Sequence, residues 1–78
     1  MSEQPFGYVY MRVADEVAEE IRTGRLSYGA RLPNERDMGA QYGVAPGTVR
    51  RAVQELRDRG LVQTLPNKGT FVIAQPPA

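Results

Sequence analysis

Apolar residues recur with helical spacing through most of the chain and then switch to the alternation of β-strands near its end. In the first stretch one side of the pattern is apolar and the opposite side is charged. The apolar stripe consists of Tyr10, Val13, Ala14, Val17 and Ile21. This pattern predicts a helix over 8–23, which Gly24 is suited to end in the left-handed conformation that commonly follows a last turn.

A second, short helix is predicted over 35–42. Asn34 is a favourable N-cap, because its side-chain oxygen can accept a hydrogen bond from an N–H group of the first turn. Glu35 and Asp37 place negative charge where the helix dipole favours it. Gly43 is expected to end this helix.

A third helix is predicted over 46–59, after the turn segment "YGVAPG". Proline at the first helical position loses no hydrogen bond and has its φ angle preset, so the helix is expected to begin at Pro46. Gly60 is expected to end it. The apolar stripe of this helix consists of Val49, Ala52, Val53 and Leu56.

The remaining segments predict a small amount of β structure. The runs "LVQTL" (61–65) and "TFVIA" (70–74) have strand character, and "PNKG" between them can form a hairpin tip. The connector "RLSYGARLP" is expected to hold a short extended piece near Arg31, and Tyr10 and Phe71 are expected to pack in the core. These elements predict a mainly α fold with a small β-hairpin (α+β), in the order α-β-α-α-β-β.

Composition limits the classes of protein to consider. The 78 residues carry a net charge of +1 and include no cysteine and no histidine, which removes disulfides, thiolate metal sites and the usual proton shuttle. An enzyme is therefore disfavoured, and no cofactor or metal is expected. Because the chain shows no export signal and no apolar run of membrane length, we expect it to be cytoplasmic and to have no membrane partner. We expect one domain over 8–74, with a flexible arm over 1–7 and a disordered tail over 75–78.

Charge is distributed unevenly along the chain. Residues 1–43 contain five basic and seven acidic side chains, whereas residues 44–78 contain five basic and two acidic ones. The carboxylates of the first helix favour a solvated face over a metal site, because Arg12 and Arg22 can pair with them at helical spacing. The positive second half indicates a polyanionic partner.

Two helices joined by a glycine-containing turn are typical of a helix-turn-helix. A helical wheel places Gly47, Arg51 and Gln54 directly away from the core, with Arg50 on one flank and Thr48 on the other. Arg57 lies on the same flank as Arg50. Asp58 places a negative charge on the outward face near the end of the helix, which indicates that only the first half of the helix approaches a polyanion. For Arg57 and Arg59 we expect a solvated face or a local ion pair.

From Tyr10 to Val72 the chain resembles the DNA-binding domain of GntR-family bacterial transcription regulators. The matching segments are "VADEVAEEI", "GRLSYGARLPNER", "YGVAPGTVRRAVQELRDRGLV" and "KGTFV". The resemblance implies a winged helix-turn-helix, with the third helix in the major groove and a hairpin wing over 66–69 at the minor groove. It also implies DNA contacts at Arg36, Thr48, Arg50, Asn67, Lys68 and Gly69, whereas those at Gly47, Arg51 and Gln54 follow from the outward face.

Several positions depart from the family pattern or keep two interpretations. Ala45 and Pro46 stand where family members often have serine and arginine, which removes an N-cap oxygen and a DNA contact that Arg51 is hypothesised to replace. Gly39, where alanine is common, is expected to weaken the second helix slightly. Lys68 and Asn67 also fit plain hairpin chemistry, because asparagine accepts a positive φ angle.

The function predicted from the sequence is specific binding of double-stranded DNA as the DNA-binding module of a transcription regulator, expected to be a repressor. A homodimer on a palindromic operator is expected, and an effector metabolite only if a further C-terminal domain exists. The alternative is a winged helix that binds another protein. It is disfavoured because the outward face offers no apolar anchor.

Overall fold

A computed structural model describes residues 7–74 of the chain. Its elements are α1 (Gly7–Arg22), α2 (Glu35–Tyr42), α3 (Pro46–Asp58), β1 (Val62–Leu65) and β2 (Gly69–Val72). The fold class expected from the sequence, three helices and a hairpin, is confirmed. The predicted arm over 1–7 and tail over 75–78 lie outside the described residues except for Gly7, with which α1 begins.

The core is built where the apolar stripes of α1 and α3 face each other. Its helical members are fully or almost fully buried: Val13, Ala14, Val17, Ile21, Met38, Val49, Ala52 and Leu56. Tyr10 and Val53 are partly buried at its edge. Each fully buried valine, leucine, isoleucine or methionine among them stabilises the fold by about 1.5–3 kcal/mol relative to exposure, so the core fixes which side of α3 faces inward.

The turn between α2 and α3 depends on two glycines. Gly43 adopts φ 71°, and the N–H groups of Gly43 and Val44 both donate to the carbonyl of Gly39. A Cβ atom on Gly39 would lie 2.6 Å from the Val44 carbonyl oxygen. Beside its expected weakening of α2, Gly39 therefore leaves room for the turn, because a Cβ atom there would collide with the Val44 carbonyl.

The ends of α2 and α3 follow the sequence signals closely. The Asn34 Oδ1 atom accepts a hydrogen bond of 2.8 Å from the Asp37 N–H group. Ala45 caps α3 without a side-chain hydrogen bond, as its missing oxygen predicts, and Pro46 occupies the first turn. Gly60 adopts φ 78° just beyond the end of α3.

The hairpin formed by β1, β2 and their turn 66–68 is called the wing below. Its antiparallel register pairs Val62 with Val72. The extended piece expected near Arg31 is a single bridge to Phe71, and the Leu32 N–H group donates to the Thr70 carbonyl at 2.8 Å. The first β element of the predicted order α-β-α-α-β-β is therefore a single bridge and not a strand. The two strands of the wing have four residues each, one fewer than the predicted runs 61–65 and 70–74.

Alternation along the wing corrects one predicted core residue. Val62 and Val72 are buried, whereas Phe71, adjacent to Val72, is only half-buried and lies outside the core cluster. Successive residues of a strand point to opposite faces, so Phe71 and its partner Gln63 share the face directed away from the core. Thr64 and Thr70 share the core side and continue it toward the turn.

The charged side of α1 forms local ion pairs. Arg12 pairs with Glu16 at 3.1 Å, and Arg22 pairs with Glu19, as the helical spacing predicts. The hydrogen bond from Arg22 lowers the pKa of Glu19.

Within residues 7–74, no three Asp, Glu, His or Cys side chains converge as a metal ion would require. None of the helices in that range is long and apolar enough to cross a bilayer.

Candidate nucleic-acid interface

The outward side of α3 is polar, and it becomes bulkier along the helix. Gly47 is exposed, and a Cβ atom there would have no neighbour within 4 Å. Arg50, Arg51 and Gln54 are exposed, whereas Thr48 is half-buried. Another molecule could therefore approach the backbone of α3 most closely near its N-terminal end.

Arg50 is held by a carboxylate of the preceding helix. Its Nε atom donates to Glu35 Oε2 at 3.1 Å and its Nη2 atom to Glu35 Oε1 at 2.9 Å. This pairing raises the pKa of Arg50, while 65% of the arginine side chain stays exposed. Arg36 follows in the first turn of α2 and is also exposed. Arg50 is therefore attached to the first turn of α2, the turn that also carries Arg36.

Arg51 lies against α1. Its guanidinium carbon is 4.2 Å from the centre of the Tyr10 ring, which gives a cation–π contact. Because Arg51 remains exposed, the contact covers one face of the guanidinium and leaves its N–H groups able to donate. The orientation toward α1 was not evident from the helical wheel, which considers α3 alone.

The C-terminal half of α3 is bound to its surroundings. Arg59 pairs with Asp15 of α1 at 2.8 Å and with Glu55 at 2.9 Å, and hydrogen bonds to both carboxylates raise its pKa. Arg57 instead donates to Gln54 Oε1 and to a threonine of the wing, each at 2.7 Å. Of the two predicted alternatives, the ion pair is present for Arg59, whereas Arg57 makes hydrogen bonds to neutral side chains and no ion pair within residues 7–74.

The tip of the wing carries the other predicted contacts. Asn67 adopts φ 63°, which confirms that its side chain suits the turn geometry. Lys68 is exposed, and its N–H group donates to the Leu65 carbonyl at 3.0 Å. Gly69 adopts φ 128°, a conformation that other residues rarely accept. The turn therefore presents Lys68 as a projecting cation.

A cleft of about 270 Å³ separates α3 from the wing. It brings Arg50 and Gly69 to one groove, together with side chains that the sequence did not single out as a site. These additional polar residues are Arg31, Asn34, Glu35, Arg57, Thr64 and Thr70. No helical or strand spacing connects them, because they come from the connector, two helices and both strands.

Comparison with known proteins places this arrangement in a family. The family model for bacterial regulatory proteins of the gntR family matches residues 9–72. The HTH-type transcriptional regulator SmoD of Agrobacterium fabrum is 39% identical over 66 residues, which cover 85% of this chain and 28% of SmoD. The HTH-type transcriptional repressor NagR of Bacillus subtilis is 34% identical over 64 residues, covering 82% of this chain and 26% of NagR. The chain thus spans about a quarter of the length of these relatives.

Solved structures agree in fold. A transcriptional regulator from Oenococcus oeni superposes with a TM-score of 0.82 at 33% identity, covering 94% of this chain and 58% of that one. The DNA-binding domain of AraR in complex with operator ORE1 superposes with a TM-score of 0.77 at 31% identity, covering 82% and 78%. The resemblance that the sequence motifs indicated is therefore confirmed. The chain belongs to the gntR family of bacterial regulatory proteins.

Proposed function

We propose that this chain is a DNA-binding module that places the N-terminal half of α3 in the major groove of double-stranded DNA. The observation that carries the proposal is the outward side of α3: from Gly47 to Gln54 it is exposed, bears two arginines and contains no carboxylate. The AraR domain, which shares the fold and was solved in complex with an operator, supports DNA binding by this fold.

Roles follow from the chemistry of the exposed groups. The Arg50 guanidinium can pair with two acceptors of a guanine edge, because its planar fork matches them. Glu35 accepts from the Nε–Nη2 edge of this guanidinium, which leaves its Nη1–Nη2 end for the base and reduces the number of rotamers that binding must restrict. Arg36 and Thr48 are suited to phosphate oxygens, and Arg51 to a phosphate beside α1. Gly47 and Gln54 complete the approaching surface.

The wing supplies a second point of attachment. Lys68 projects from the turn and is suited to a phosphate or to the minor groove, with Asn67 and Gly69 beside it. Contacts of this kind position a protein on the duplex without reading its sequence. We therefore assign sequence discrimination to α3 and general affinity to the wing.

The wider biological role extends this proposal. The repressor named among the relatives supports a role in repression, and a two-fold operator would pair with a homodimer on DNA. Because the chain spans about a quarter of that relative, an effector metabolite belongs to a further domain if one exists. The module performs no chemistry on DNA, and in a bacterium it acts in the cytoplasm, where the chromosome lies.

Replacing Arg50 with alanine tests the assignment to α3. Loss of a two-pronged contact should weaken binding to the selected operator by roughly tenfold to a hundredfold and relax the preference at one base pair. The measurement is fluorescence anisotropy against a set of single-base operator variants. Arg12→Ala, which removes an equal charge from the far side of α1, should bind like the parent. If the Arg50 variant keeps full affinity and preference, α3 is not the reading element.

Replacing Lys68 with alanine tests the wing separately. A phosphate contact should be lost equally for every duplex sequence, and the slope of log K against log salt should become shallower by about 1. A parent protein that binds no duplex at low salt, but is retained by a protein partner through α3, would support the alternative of a protein-interaction module.

A further inference from the structure

We propose that the cleft between α3 and the wing holds one backbone phosphate of the bound duplex, with Arg31 and Arg57 as its two cationic ligands. This inference rests on the proposed function and adds a site that neither the outward side of α3 nor the wing tip contains. The chemistry it recognises is a phosphate oxyanion. DNA is favoured as the source, because the cleft lies between the two elements assigned to the grooves.

The charges around the cleft leave two guanidinium groups available. Three arginines and one carboxylate line it, and the carboxylate of Glu35 is already engaged by both nitrogens that Arg50 directs toward it. Within residues 7–74, Arg31 and Arg57 have no carboxylate at ion-pair distance. A singly charged phosphate diester would supply the missing anion, and guanidinium groups are well suited to its oxygens.

Arg57 is oriented before any ligand arrives. Its Nη1 atom donates to Thr64 Oγ1 and its Nη2 atom to Gln54 Oε1, each at 2.7 Å. Thr64 Oγ1 lies 2.9 Å from Thr70 Oγ1 on the paired strand. This network joins α3 to both strands of the wing and places two hydroxyl groups beside the guanidinium. The side of the cleft near Arg57 is thus polar and restrained.

Arg31 reaches the same cleft from the connector. Its backbone is fixed to β2 by the bridge to Phe71, and its neighbour Leu32 donates to the Thr70 carbonyl. Its side chain crosses directly over Gly69, where a Cβ atom would lie 2.5 Å from the Arg31 Nε atom. Glycine at the base of the wing therefore leaves room for a guanidinium, in addition to meeting the turn geometry.

The size of the cleft fits the ligand. At about 30 Å³ per water molecule, a volume of about 270 Å³ accommodates a phosphate group with bridging waters. The cleft is open at its surface, as a continuous backbone requires, because the phosphate must enter while attached to its neighbours. Arg31 and Arg57 would then clamp it from two different elements of the fold.

Arg57→Gln tests the site in solution. Loss of one phosphate contact should make the slope of log K against log salt shallower by about 0.9 and weaken binding roughly fivefold at 0.15 M salt, equally for operator and unrelated duplexes. Arg57→Lys, which retains the charge, should recover most of that slope. Arg25→Gln is the matched control, since Arg25 is exposed and does not line the cleft. Amide spectra of the wing residues verify that the variants keep its position.

Neutral methylphosphonates, introduced one at a time into the operator, locate the contact. One position should weaken the parent and Arg25→Gln strongly, should weaken Arg57→Gln and Arg31→Gln less because each keeps one of the two cations, and should leave the double variant Arg31→Gln/Arg57→Gln unchanged. If every neutral position costs the parent and the cleft variants equally, the cleft holds no phosphate. That failure leaves the proposed function intact as long as Arg50→Ala still loses operator preference. A parent that binds no duplex would overturn both proposals together.

Inorganic phosphate distinguishes the DNA backbone from a free anion. The wing amides of the unbound protein should shift only at millimolar phosphate, relative to chloride at equal ionic strength, and duplex should suppress that shift. Saturation at micromolar phosphate that persists in the presence of duplex would assign the cleft to a free phosphate ligand and would contradict the DNA assignment.

Discussion

The two halves of α3 hold their arginines in different ways. Arg50 and Arg51, in the first half, each have one partner and stay exposed. Arg57, in the second half, connects α3 to the wing, and Arg59, which caps the C-terminal end, connects it to α1. The same residue type therefore stays largely exposed at one end of the helix and attaches it to the scaffold at the other, where Arg57 also faces the cleft.

This difference shows how a small domain can present a rigid helix. A helix that contacts DNA must leave one side uncovered, so its position has to be fixed by the opposite side and by one end. In α3 the buried side does this through Val49, Ala52 and Leu56, and the C-terminal end does it through Arg57 and Arg59. The exposed first half then needs few contacts of its own.

The largest expected effect is on the buried side of the second half. Leu56 is fully buried, so Leu56→Ala should lower the free energy of unfolding by about 2–5 kcal/mol, from lost apolar burial and the cavity left behind. Gln54→Ala, two residues earlier on the outward side, should change it by no more than about 0.5 kcal/mol. Urea denaturation measures both variants. Equal losses would show that α3 is not fixed mainly by its buried side.

The glycines on the two sides of the turn give the next largest contrast. Gly39→Ala should lower the free energy of unfolding by about 1–2 kcal/mol, because the collision with the Val44 carbonyl outweighs the gain in helix propensity. Gly47→Ala meets open space and should raise it by up to about 0.5–1 kcal/mol. Thermal and urea unfolding of the two variants would reveal the opposite signs.

The Gly47→Ala variant also separates an effect on the free energy of unfolding from an effect on DNA binding. On the proposed function, the added methyl group at Gly47 obstructs close approach of α3 to DNA, so this more stable variant should bind operator less tightly. Anisotropy with the operator measures the change. A Gly47→Ala protein that is both more stable and fully active would place the closest approach elsewhere on α3.

Most of the fold was predictable from the sequence because local signals determine it. Asn34, Gly43, Pro46 and Gly60 set the helix ends by cap chemistry and φ preferences that need no knowledge of distant residues. The close approach at Gly39 could not be predicted, because the Val44 carbonyl reaches it only when the turn is formed. Helix propensity, which considers α2 alone, carries no information on that contact.

The candidate site was predictable only in part, for a similar reason. The outward side of α3 follows from helical period, so Gly47, Arg51 and Gln54 could be proposed without a structure. The partners of Arg50 and Arg57 could not, because Glu35 lies fifteen residues from Arg50 and Thr64 belongs to a different element from Arg57. Contacts between elements carry no spacing signature, and the cleft consists almost entirely of such contacts.

The smallest expected effects on the free energy of unfolding concern one arginine at each end of α3, Arg51 and Arg59. The Arg59 side chain is 30% exposed and pairs with two carboxylates, so Arg59→Gln should lower the free energy of unfolding by about 1 kcal/mol. That loss should shrink in 1 M salt, where ion pairs are screened. Arg51→Gln removes only an exposed cation–π contact and should cost about 0.5 kcal/mol.

DNA binding should rank these two variants in the opposite order. Arg51→Gln removes a cation from the approaching half and should weaken operator binding, whereas Arg59→Gln should leave the affinity close to that of the parent once both are measured well below their unfolding temperatures. Urea curves and operator anisotropy on the same samples give the two rankings. If Arg59→Gln loses more affinity than Arg51→Gln, Arg59 itself contacts DNA, because an arginine that serves only for attachment has no salt-dependent contact to lose.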